Sequence, residues 1–424
     1  MIRLFLFLFF GLFALNSYSA VVVADTCSYA DVLAAYNAAS AGDTVSVPAG
    51  SCTWSTRLII SKSIKLVGAG MYSTVIKNGI ATSGSTDYCV WLQPSTPADD
   101  PVMEVSNFTF DADNEGGCIG VQNTSDNYAH YNFRIYENLL KNGEDTGDSY
   151  MCIRVSGNCF GLIDNNIFSN NYYDLKLFGN DQNSWDNYPG PENLGTRNYL
   201  YIEDNTSFDE WYFVLTSGEG SRWVYRYNTV DLASRGYGTL DAHGNTGNDG
   251  VVAHEIYENT FTNAQDRGDG FRLHDLRGGN GIVYNNTISG PETTCKISVR
   301  EEDCCVYPGT DTVTNTFLWN NIFNGADTKI DVGANGMLVE DRDFWDDYQS
   351  GGGDYNFTFG LASARPGSPS DDDSYWETDT KKLYNSQGAD NWVLVYEPYT
   401  YPHPLRKWWK SHDPAVDGMR IEGP

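Results

Sequence analysis

The stretch GTLDAHGNTG, residues 238–247, places Asp241 and His243 two positions apart, with Leu240 and Ala242 alternating beside them. In an extended strand this alternation puts the apolar side chains on one face and the polar side chains on the other. A carboxylate and an imidazole on one face can both move protons during catalysis. The stretch is therefore a candidate active-site strand, and an ordinary polar strand face is the alternative.

Similar alternating strands occur before and after this one: CIRVSG, YYDLKLFG, WYFVLTSG, GFRLHDLRG and CKISVREED. When they are aligned, Leu240 and Leu273 face inward together with the other apolar positions. Parallel strands stack about 4.8 Å apart, so the polar residues of neighbouring strands would form rows on one shared face. The predicted outward set is Arg154, Asp174, Lys176, Thr239, Asp241, His243, Arg272, His274, Lys296, Ser298 and Arg300.

Rows of cations, carboxylates and imidazoles fit an extended polysaccharide that lies across the strands. A uronate lyase needs a base that removes the proton beside the carboxylate, and a cation or metal that stabilises the resulting anion. Arg, Lys or His can be that base, and the clustering of His243, His254 and His274 favours this region of the chain. The predicted catalytic residues are Asp241, His243, Arg272 and His274. The predicted substrate-binding residues are Arg154, Lys176, Lys296, Arg300 and Glu255.

Two carboxylates, Asp241 and Asp275, are the predicted ligands if the protein uses Ca²⁺, and the alternative is that it needs no cofactor. A turn in HDLRGG is the structural alternative for Asp275. Zinc is not expected, because His254 and Glu255 lack the second histidine of a zincin helix. Opposite charges on neighbouring strands also stabilise a sheet without any catalysis, so a purely structural role for the rows stays open.

The formal net charge of the 424-residue chain is -29. This excess of carboxylates argues against nucleic acid and anionic membranes as partners. A polyanionic substrate would need a locally basic groove. Enhanced solubility is the simplest interpretation of the charge.

The N-terminus reads as a secretory signal peptide of residues 1–24, with Arg3 before an apolar run and small residues after it. Cleavage after Ser19 or after Ala24 would both suit the small-residue rule. The chain is therefore expected to be secreted, to be extracellular or at the cell surface, and to have no membrane segment after cleavage.

All nine cysteines follow this leader, where an oxidising compartment permits disulfides. We expect Cys27 to pair with Cys52 and so to fix the N-terminal segment to the first strands. Cys304 and Cys305 are expected to take different partners. Because nine is odd, at least one thiol is unpaired or joins another chain.

A strand that runs into an asparagine recurs along the chain at irregular intervals, as in GLIDNNIF, HEIYENTF and GIVYNNTI. Constant strands with variable loops are typical of a solenoid. An asparagine at each corner tolerates left-handed backbone angles, and its amide can bond to the asparagine of the next coil. The ladder predicted in this way is Asn138, Asn166, Asn205, Asn228, Asn259, Asn286 and Asn321.

This repeat, together with the start GDTVSVPAGSCTWSTRLIISKSIKLVGAG, resembles the right-handed parallel β-helix proteins of the pectate-lyase-like superfamily. The resemblance covers about residues 25–325. It implies an all-β, right-handed parallel β-helix, or β-solenoid, whose first coil is capped by a short amphipathic helix at residues 29–40. It implies no particular reaction, because that superfamily holds lyases, hydrolases, esterases, epimerases and non-enzymes. No catalytic residue is carried over from it.

Residues 326–424 are expected to form a loop-rich extension that packs on the solenoid. The segment 346–391 reads as a long loop, and the aromatic tail EPYTYPHPLRKWWKSHDP is expected to cover the last coil. An exposed aromatic sugar-binding patch is the alternative for the tail.

The sequence therefore predicts a secreted carbohydrate-active protein, a polysaccharide lyase or hydrolase that acts on a uronate-containing or other extracellular glycan. A non-catalytic β-solenoid that binds glycans, adheres or forms filaments is the alternative. The acidic, tyrosine-rich composition and the odd cysteine favour this second possibility.

Overall fold

The computed structural model describes residues 19–80, 87–113, 116–125, 127–143, 151–179, 193–208, 212–233, 239–244, 250–264, 271–291, 295–301, 312–333, 338–347, 357–388 and 391–408. Residues 1–18 of the predicted leader lie outside these ranges, and so do Cys304 and Cys305.

Three long sheets, which we call A, B and C, run side by side through the described residues, and successive strands visit them in that order. Sheet A consists of β1 (Val21–Val23), β2 (Thr44–Val47), β5 (Ile64–Gly68), β8 (Met103–Ser106), β11 (Phe133–Tyr136), β14 (Leu162–Asp164), β17 (Leu200–Glu203), β20 (Arg222–Arg226), β23 (Ala253–Tyr257), β26 (Gly279–Tyr284), β29 (Val313–Trp319) and β33 (Phe344–Asp346).

Sheet B consists of β3 (Gly50–Trp54), β6 (Thr74–Asn78), β9 (Thr109–Asp111), β12 (Leu139–Lys141), β15 (Ile167–Ser169), β18 (Thr206–Phe208), β21 (Thr229–Asp231), β24 (Thr260–Thr262), β27 (Thr287–Ile288), β30 (Ile322–Phe323) and β31 (Ala326–Asp327). Sheet C consists of β4 (Leu58–Ile60), β7 (Tyr88–Leu92), β10 (Gly117–Gln122), β13 (Ile153–Ser156), β16 (Tyr173–Phe178), β19 (Phe213–Gly218), β22 (Leu240–Ala242), β25 (Phe271–Leu276), β28 (Cys295–Val299) and β32 (Lys329–Val332).

One strand from each sheet makes one coil, and each strand pairs in parallel with its equivalents in the coils before and after it. The final pair, β30 with β31, is antiparallel. The alternating Val, Ile, Leu and Phe residues of all three sheets point into one continuous core along the column. The right-handed parallel β-helix predicted from the repeat is therefore confirmed.

The predicted asparagine ladder is present at the corner between sheets A and B. Across three successive coils, Asn205 Nδ2 donates to Asn228 Oδ1 at 3.1 Å, and Asn228 Nδ2 donates to Asn259 Oδ1 at 3.2 Å. The left-handed backbone lies one residue earlier than expected, for example at Asp204 with φ 57° and at Tyr227 with φ 56°. The asparagines are thus selected for their amides, which satisfy buried backbone groups.

Helix α1 (Tyr29–Ala38) caps the first coil as predicted. Ser28 caps its N-terminus by accepting a hydrogen bond from the Asp31 N–H at 3.2 Å. Its apolar side, Val32, Ala35 and Tyr36, is buried against the core.

The expected disulfide between Cys27 and Cys52 is confirmed, and it ties the segment before α1 to β3. A second disulfide, Cys118 with Cys152, joins β10 to the segment just before β13 in the next coil. The other described cysteines, Cys89, Cys159 and Cys295, are buried.

The C-terminal segment differs from the expected long loop. Strands β34 (Phe357–Gly360), β35 (Asp371–Glu377), β36 (Lys382–Gln387) and β37 (Trp392–Tyr396) form a separate four-stranded sheet. Its aromatic residues pack on the outer face of sheet A, where Trp376 lies 4.8 Å from Trp319 and 5.1 Å from Tyr284, ring centre to ring centre. The strands were missed because β35 begins with three aspartates, a composition typical of loops.

The aromatic tail continues from β37 into the short helix α2 (Pro404–Trp408). It lies over sheet A in the middle of the column, where Tyr399 and His403 contact the Tyr201 ring. The expectation that it covers the last coil is therefore wrong in position. Among the described residues, no helix has the length and apolarity needed to cross a membrane.

Candidate functional site

The outer face of sheet C carries one continuous row of polar side chains. The pairing of β13, β16, β19, β22, β25, β28 and β32 aligns Arg154, Lys176, Thr216, Asp241, Asp275, Ser298 and Asp331. Because parallel strands repeat every 4.8 Å or so, neighbouring members of the row can touch one another or a common ligand.

Asp241, His243 and Arg277 form the centre of this face. The Arg277 guanidinium donates to both Asp241 carboxylate oxygens at 2.7 Å, and its Nε donates to Oδ1 at 3.0 Å. His243 Nε2 lies 2.7 Å from Asp241 Oδ2, and Arg277 Nη2 lies 2.7 Å from the His243 ring nitrogens. Asp241 is buried, whereas the His243 side chain is 35% exposed. The arrangement offers an accessible imidazole held between a buried carboxylate and a guanidinium.

Asp275 and Arg300 extend the cluster by one coil. Arg300 donates to Asp275 through two parallel bonds of 2.9 and 2.7 Å, and Arg277 Nε lies 3.7 Å from the same carboxylate. Burial raises the pKa of Asp275, but the bond and charge of Arg300 and the charges of Arg277 and Arg272 outweigh it and hold that pKa below its usual value. Asp275 is thus ionised at neutral pH.

Sequence reasoning missed Arg277. Its signal was available, because Arg277 follows inward-facing Leu276 as His243 follows inward-facing Ala242. Strict alternation from Leu273 is one residue out of register in β25, so it pairs Asp241 with His274 instead of Asp275 and leaves Arg277 beyond the strand.

His274 is the clearest correction. The pairing of β25 with β28 shifts register between Arg272 and His274, so Leu273 and His274 are both buried in the core. Leu240 pairs with His274 and not with Leu273. A register change of one residue moves a side chain to the opposite face of a sheet. His274 therefore faces the core, and its predicted catalytic role does not fit this position.

His254 and Glu255 belong to a different sheet. His254 points into the core and stacks on Trp223 at 5.6 Å, and burial lowers its pKa to about 3. Glu255 points out of sheet A but is covered by the C-terminal sheet, where it accepts bonds from Tyr396 Oη at 2.9 Å and Gly195 N at 2.7 Å. The predicted substrate-binding role of Glu255 therefore does not fit its position.

The remaining predicted cations lie along sheet C. Arg154 and Lys176 both approach the Phe178 ring, at 4.5 and 5.1 Å from its centre. Arg272 is exposed and pairs across the sheet with Lys296, whose ammonium lies 3.6 Å from Asp331. The structure thus brings Arg154, Lys176, Lys296, Arg272 and Arg300 to one face, whereas two other residues expected on it, Asp174 and Thr239, are fully buried.

A cluster of aromatic rings lies on the same sheet, towards the starts of its strands. Tyr172 and Tyr212 stack at 5.0 Å with an interplanar angle of 3°, and Tyr173 and Phe213 stack beside them at 6.4 Å. Tyr172, Tyr212 and Phe213 are half-buried, so parts of their rings face solvent. These rings were not predicted as site residues, although the strands YYDLKLFG and WYFVLTSG contain them.

The predicted Ca²⁺ ligands do not fit a cation site as they are arranged. Both oxygens of Asp241 accept from Arg277, and both oxygens of Asp275 accept from Arg300. Within the described ranges, no three His, Cys, Asp or Glu side chains come together as a metal would require. A requirement for Ca²⁺ stays a prediction, and no step below is routed through a metal.

No protein-family model matches the chain, and no curated protein matches it either. Among solved structures, the chain is similar to an alginate lyase from Paenibacillus sp. str. FPU-7, with 11% identity, 74% of this chain and 99% of that chain covered, and a TM-score of 0.36. It is also similar to the A-module of the mannuronan C-5 epimerase AlgE4 from Azotobacter vinelandii, with 13% identity, 71% and 92% coverage and a TM-score of 0.30.

A third similar structure is the ORF18 protein of Geobacillus virus E2, with 14% identity, 65% of this chain covered and a TM-score of 0.33. The chain spans 57% of the length of that viral protein. These likenesses concern the fold and assign no activity. By the register of its own strands, the chain is a right-handed parallel β-helix protein.

Proposed function

We propose that the protein is a secreted carbohydrate-active β-helix protein that binds an extended glycan along the outer face of sheet C and cleaves it by β-elimination at His243. The observation that carries the proposal is the contact of a solvent-exposed imidazole with a buried carboxylate and a guanidinium in one row of polar side chains. Sugar rings would stack on the aromatic cluster, and charged sugar groups would meet the cations of the row.

In this reaction His243 removes the proton from the carbon beside a uronate carboxylate. The electrons of the broken C–H bond form a carbon–carbon double bond as the glycosidic C–O bond breaks, and the proton passes from His243 to the leaving oxygen. Arg277 lies where it can stabilise the negative charge that develops on the uronate carboxylate. Asp241 fixes the positions of both His243 and Arg277.

Elimination is favoured over hydrolysis by the state of the carboxylates. Glycoside hydrolysis uses two carboxyl groups, one of which must be protonated to donate to the leaving group. Asp275 is a carboxylate with a lowered pKa, and both of its oxygens are bonded to Arg300. Neither it nor the guanidinium-bound Asp241 is arranged as a general acid.

The test is incubation of the purified protein with a panel of uronate polymers and neutral glycans, with the ultraviolet absorbance of unsaturated ends and the number of reducing ends measured together. We expect both signals to rise on a uronate polymer, and His243→Ala to lower the rate by about 10²-fold or more. Lys382→Gln, which alters an ion pair with Glu397 at the C-terminal sheet, is the control. Reducing ends without absorbance would replace elimination by hydrolysis, and neither signal on any glycan would remove the enzymatic proposal.

Glycan binding without cleavage is the second candidate. It is favoured by the two guanidinium–carboxylate pairs, which leave the row electrically balanced between Asp241 and Arg300. Saturable binding that depends on Tyr172 and Tyr212, with no new chain ends and no effect of His243→Ala, would support this candidate.

A further inference from the structure

The outer face of sheet B carries a row of side chains that the proposed function does not use. Each position in the row from β12 onwards directly follows an asparagine of the ladder. Strand pairing aligns Ser51, Val75, Thr109, Leu139, Ile167, Thr206, Thr229, Thr260, Thr287 and Ile322.

Four consecutive coils place a threonine at this position, and all four are exposed: Thr206, Thr229, Thr260 and Thr287. Within the described part of the chain their hydroxyls take no hydrogen-bond partner. Each threonine therefore presents a methyl group and a hydroxyl to solvent, and its β-branched side chain has few rotamers. We call these four residues the threonine row.

The backbone beneath the threonine row fixes its spacing. The ladder amides of Asn205, Asn228, Asn259 and Asn286 bond from coil to coil directly beside the four threonines. The hydroxyls therefore repeat at the strand spacing of about 4.8 Å along a straight line. This repeat is close to the spacing of equivalent water oxygens along the a axis of hexagonal ice.

The lack of charge along the row also indicates what kind of partner it fits. None of the ten aligned positions is ionisable, although 20% of the chain is Asp, Glu, Lys or Arg. A charged polymer would find no complementary group along this line, and the row has no aromatic ring on which a sugar could stack. A neutral lattice of hydroxyl donors and acceptors with the same repeat is the complementary surface.

We propose that the threonine row is an ice-binding surface, on which ordered water bridges the hydroxyls to the crystal. The neighbouring outward row is mixed, since Asp231 pairs there with Thr262. The regular lattice is thus one residue wide and four coils long, a size that suits restraint of ice recrystallisation more than a large depression of the freezing point.

The experiment measures growth of ice grains in a frozen protein solution held just below melting. Thr229→Lys with Thr287→Lys interrupts the row at alternate coils, so the two lysines do not face each other. Thr358→Lys with Thr378→Lys makes the same charge change at two other exposed threonines, one in β34 and one directly after β35. We expect the unmodified protein and the C-terminal variant to inhibit grain growth equally, and the row variant to need at least about tenfold more protein.

Thr260→Val tests the same row without added charge, because valine keeps the shape and removes one hydroxyl. We expect a smaller rise in the inhibitory concentration than with the lysine pair, and circular dichroism establishes that each variant is folded. Failure of the unmodified protein to inhibit grain growth, or equal inhibition by the folded row variant, would overturn the proposal. Activity on glycans is independent of either result, since the catalytic proposal concerns sheet C.

Discussion

His243 and His274 end in opposite environments, although alternation along their strands assigns them to the same face. His243 follows the inward Ala242 and stays half-buried at the surface of sheet C. His274 lies inside the column between Leu240 and Ile297 of the neighbouring coils, and neither of its ring nitrogens has a hydrogen-bond partner among the described residues. A buried imidazole without a partner is costly, so this position should prefer an apolar residue.

Replacement of His274 by leucine tests this assignment. We expect His274→Leu to raise the free energy of unfolding at neutral pH by about 1–3 kcal/mol, because it removes two unsatisfied ring nitrogens from between aliphatic neighbours. Any activity on glycans should be unchanged. Chemical denaturation and a glycan assay measure the two effects, and lost activity in a stable variant would return His274 to the catalytic site.

The same variant should alter the response to acid. Burial, with a smaller contribution from His254, lowers the pKa of His274 to about 3. The unfolded chain takes up a proton near pH 6.5, while the folded chain does not until about pH 3, so this histidine removes stability as the pH falls through that window. The stability advantage of His274→Leu should therefore grow by about 1.4 kcal/mol per pH unit below pH 6.5. Denaturation at several pH values measures it, and a constant advantage would contradict the pKa.

At the scale of elements, the asparagine ladder holds successive coils together. Asn228 Nδ2 donates to the carbonyls of Ile202 and Arg226 at 3.0 Å, and its Oδ1 accepts from the backbone N–H of Asn205 at 2.9 Å. These partners are buried and have no access to water. Loss of the side chain would leave several of them unsatisfied at once.

Asn228→Ala should accordingly lower the free energy of unfolding by at least about 3 kcal/mol. Asn320→Gly is the matched control, since Asn320 is exposed, bonds to Asn285 at the surface of the same corner, and has a left-handed backbone (φ 51°) that glycine also adopts. Its effect should stay within about 0.5 kcal/mol. Denaturant titration of both variants decides the matter, and equal effects would mean that the ladder adds nothing beyond ordinary polar contacts.

The first strand bears on where the predicted leader is cut. In β1, Val21–Val23 pairs with β2, and Ala20 N donates to Asp43 Oδ1 at 2.8 Å. Cleavage after Ser19 keeps these bonds, whereas cleavage after Ala24 removes the strand and bares the edge of β2. We expect the intact mass of the exported protein to correspond to a chain that starts at Ala20. A mass that starts at Asp25 would show that β1 is dispensable.

How far the fold could be anticipated depends on how local each signal is. The core strands and the ladder repeat the same short phrase, so their alternation and their asparagines could be recognised from a few residues each. The register of β25 could not, because an extra residue at Leu273 is decided by packing in the neighbouring coils. The strands of the C-terminal sheet could not be predicted from the sequence for a related reason. Its strands are specified by contact with distant rings such as Tyr284 and Trp319, and their own composition resembles a loop.

At the scale of the whole molecule, a buried network of charges joins the tail to the solenoid. Arg226 is fully buried, donates to Glu203 at 2.8 Å, and donates to the carbonyls of Tyr399 and Thr400 at 2.8 and 2.9 Å. Glu203 in turn accepts from the backbone N–H of His403 at 2.9 Å. Arg406 reaches Asp204 and lies 3.4 Å from Asp164. The tail is thus held by buried and partly buried ionic groups as well as by its aromatic contacts.

Arg226→Met should break this network. It leaves Glu203 buried without its main cation, which costs about 3–5 kcal/mol when one partner of such a pair is lost. We expect a lower melting temperature and rapid proteolysis within residues 397–408. Lys77→Met, at an exposed pair with Asp113, should cost less than about 1 kcal/mol. A variant whose tail resists protease as well as the unmodified chain would mean that its aromatic contacts suffice.

Of the three sheets of the column, sheet A is the one that the C-terminal sheet covers. The C-terminal strands cover the outer face of sheet A, whereas no second sheet formed by the described residues covers sheet B or sheet C, which face different directions. Two different ligands could then bind at the same time, one on sheet B and one on sheet C, with the core of the column between them. Attachment of the protein to a support through its C-terminal sheet would leave the outer faces of sheets B and C accessible, whereas attachment through either of those faces would block it.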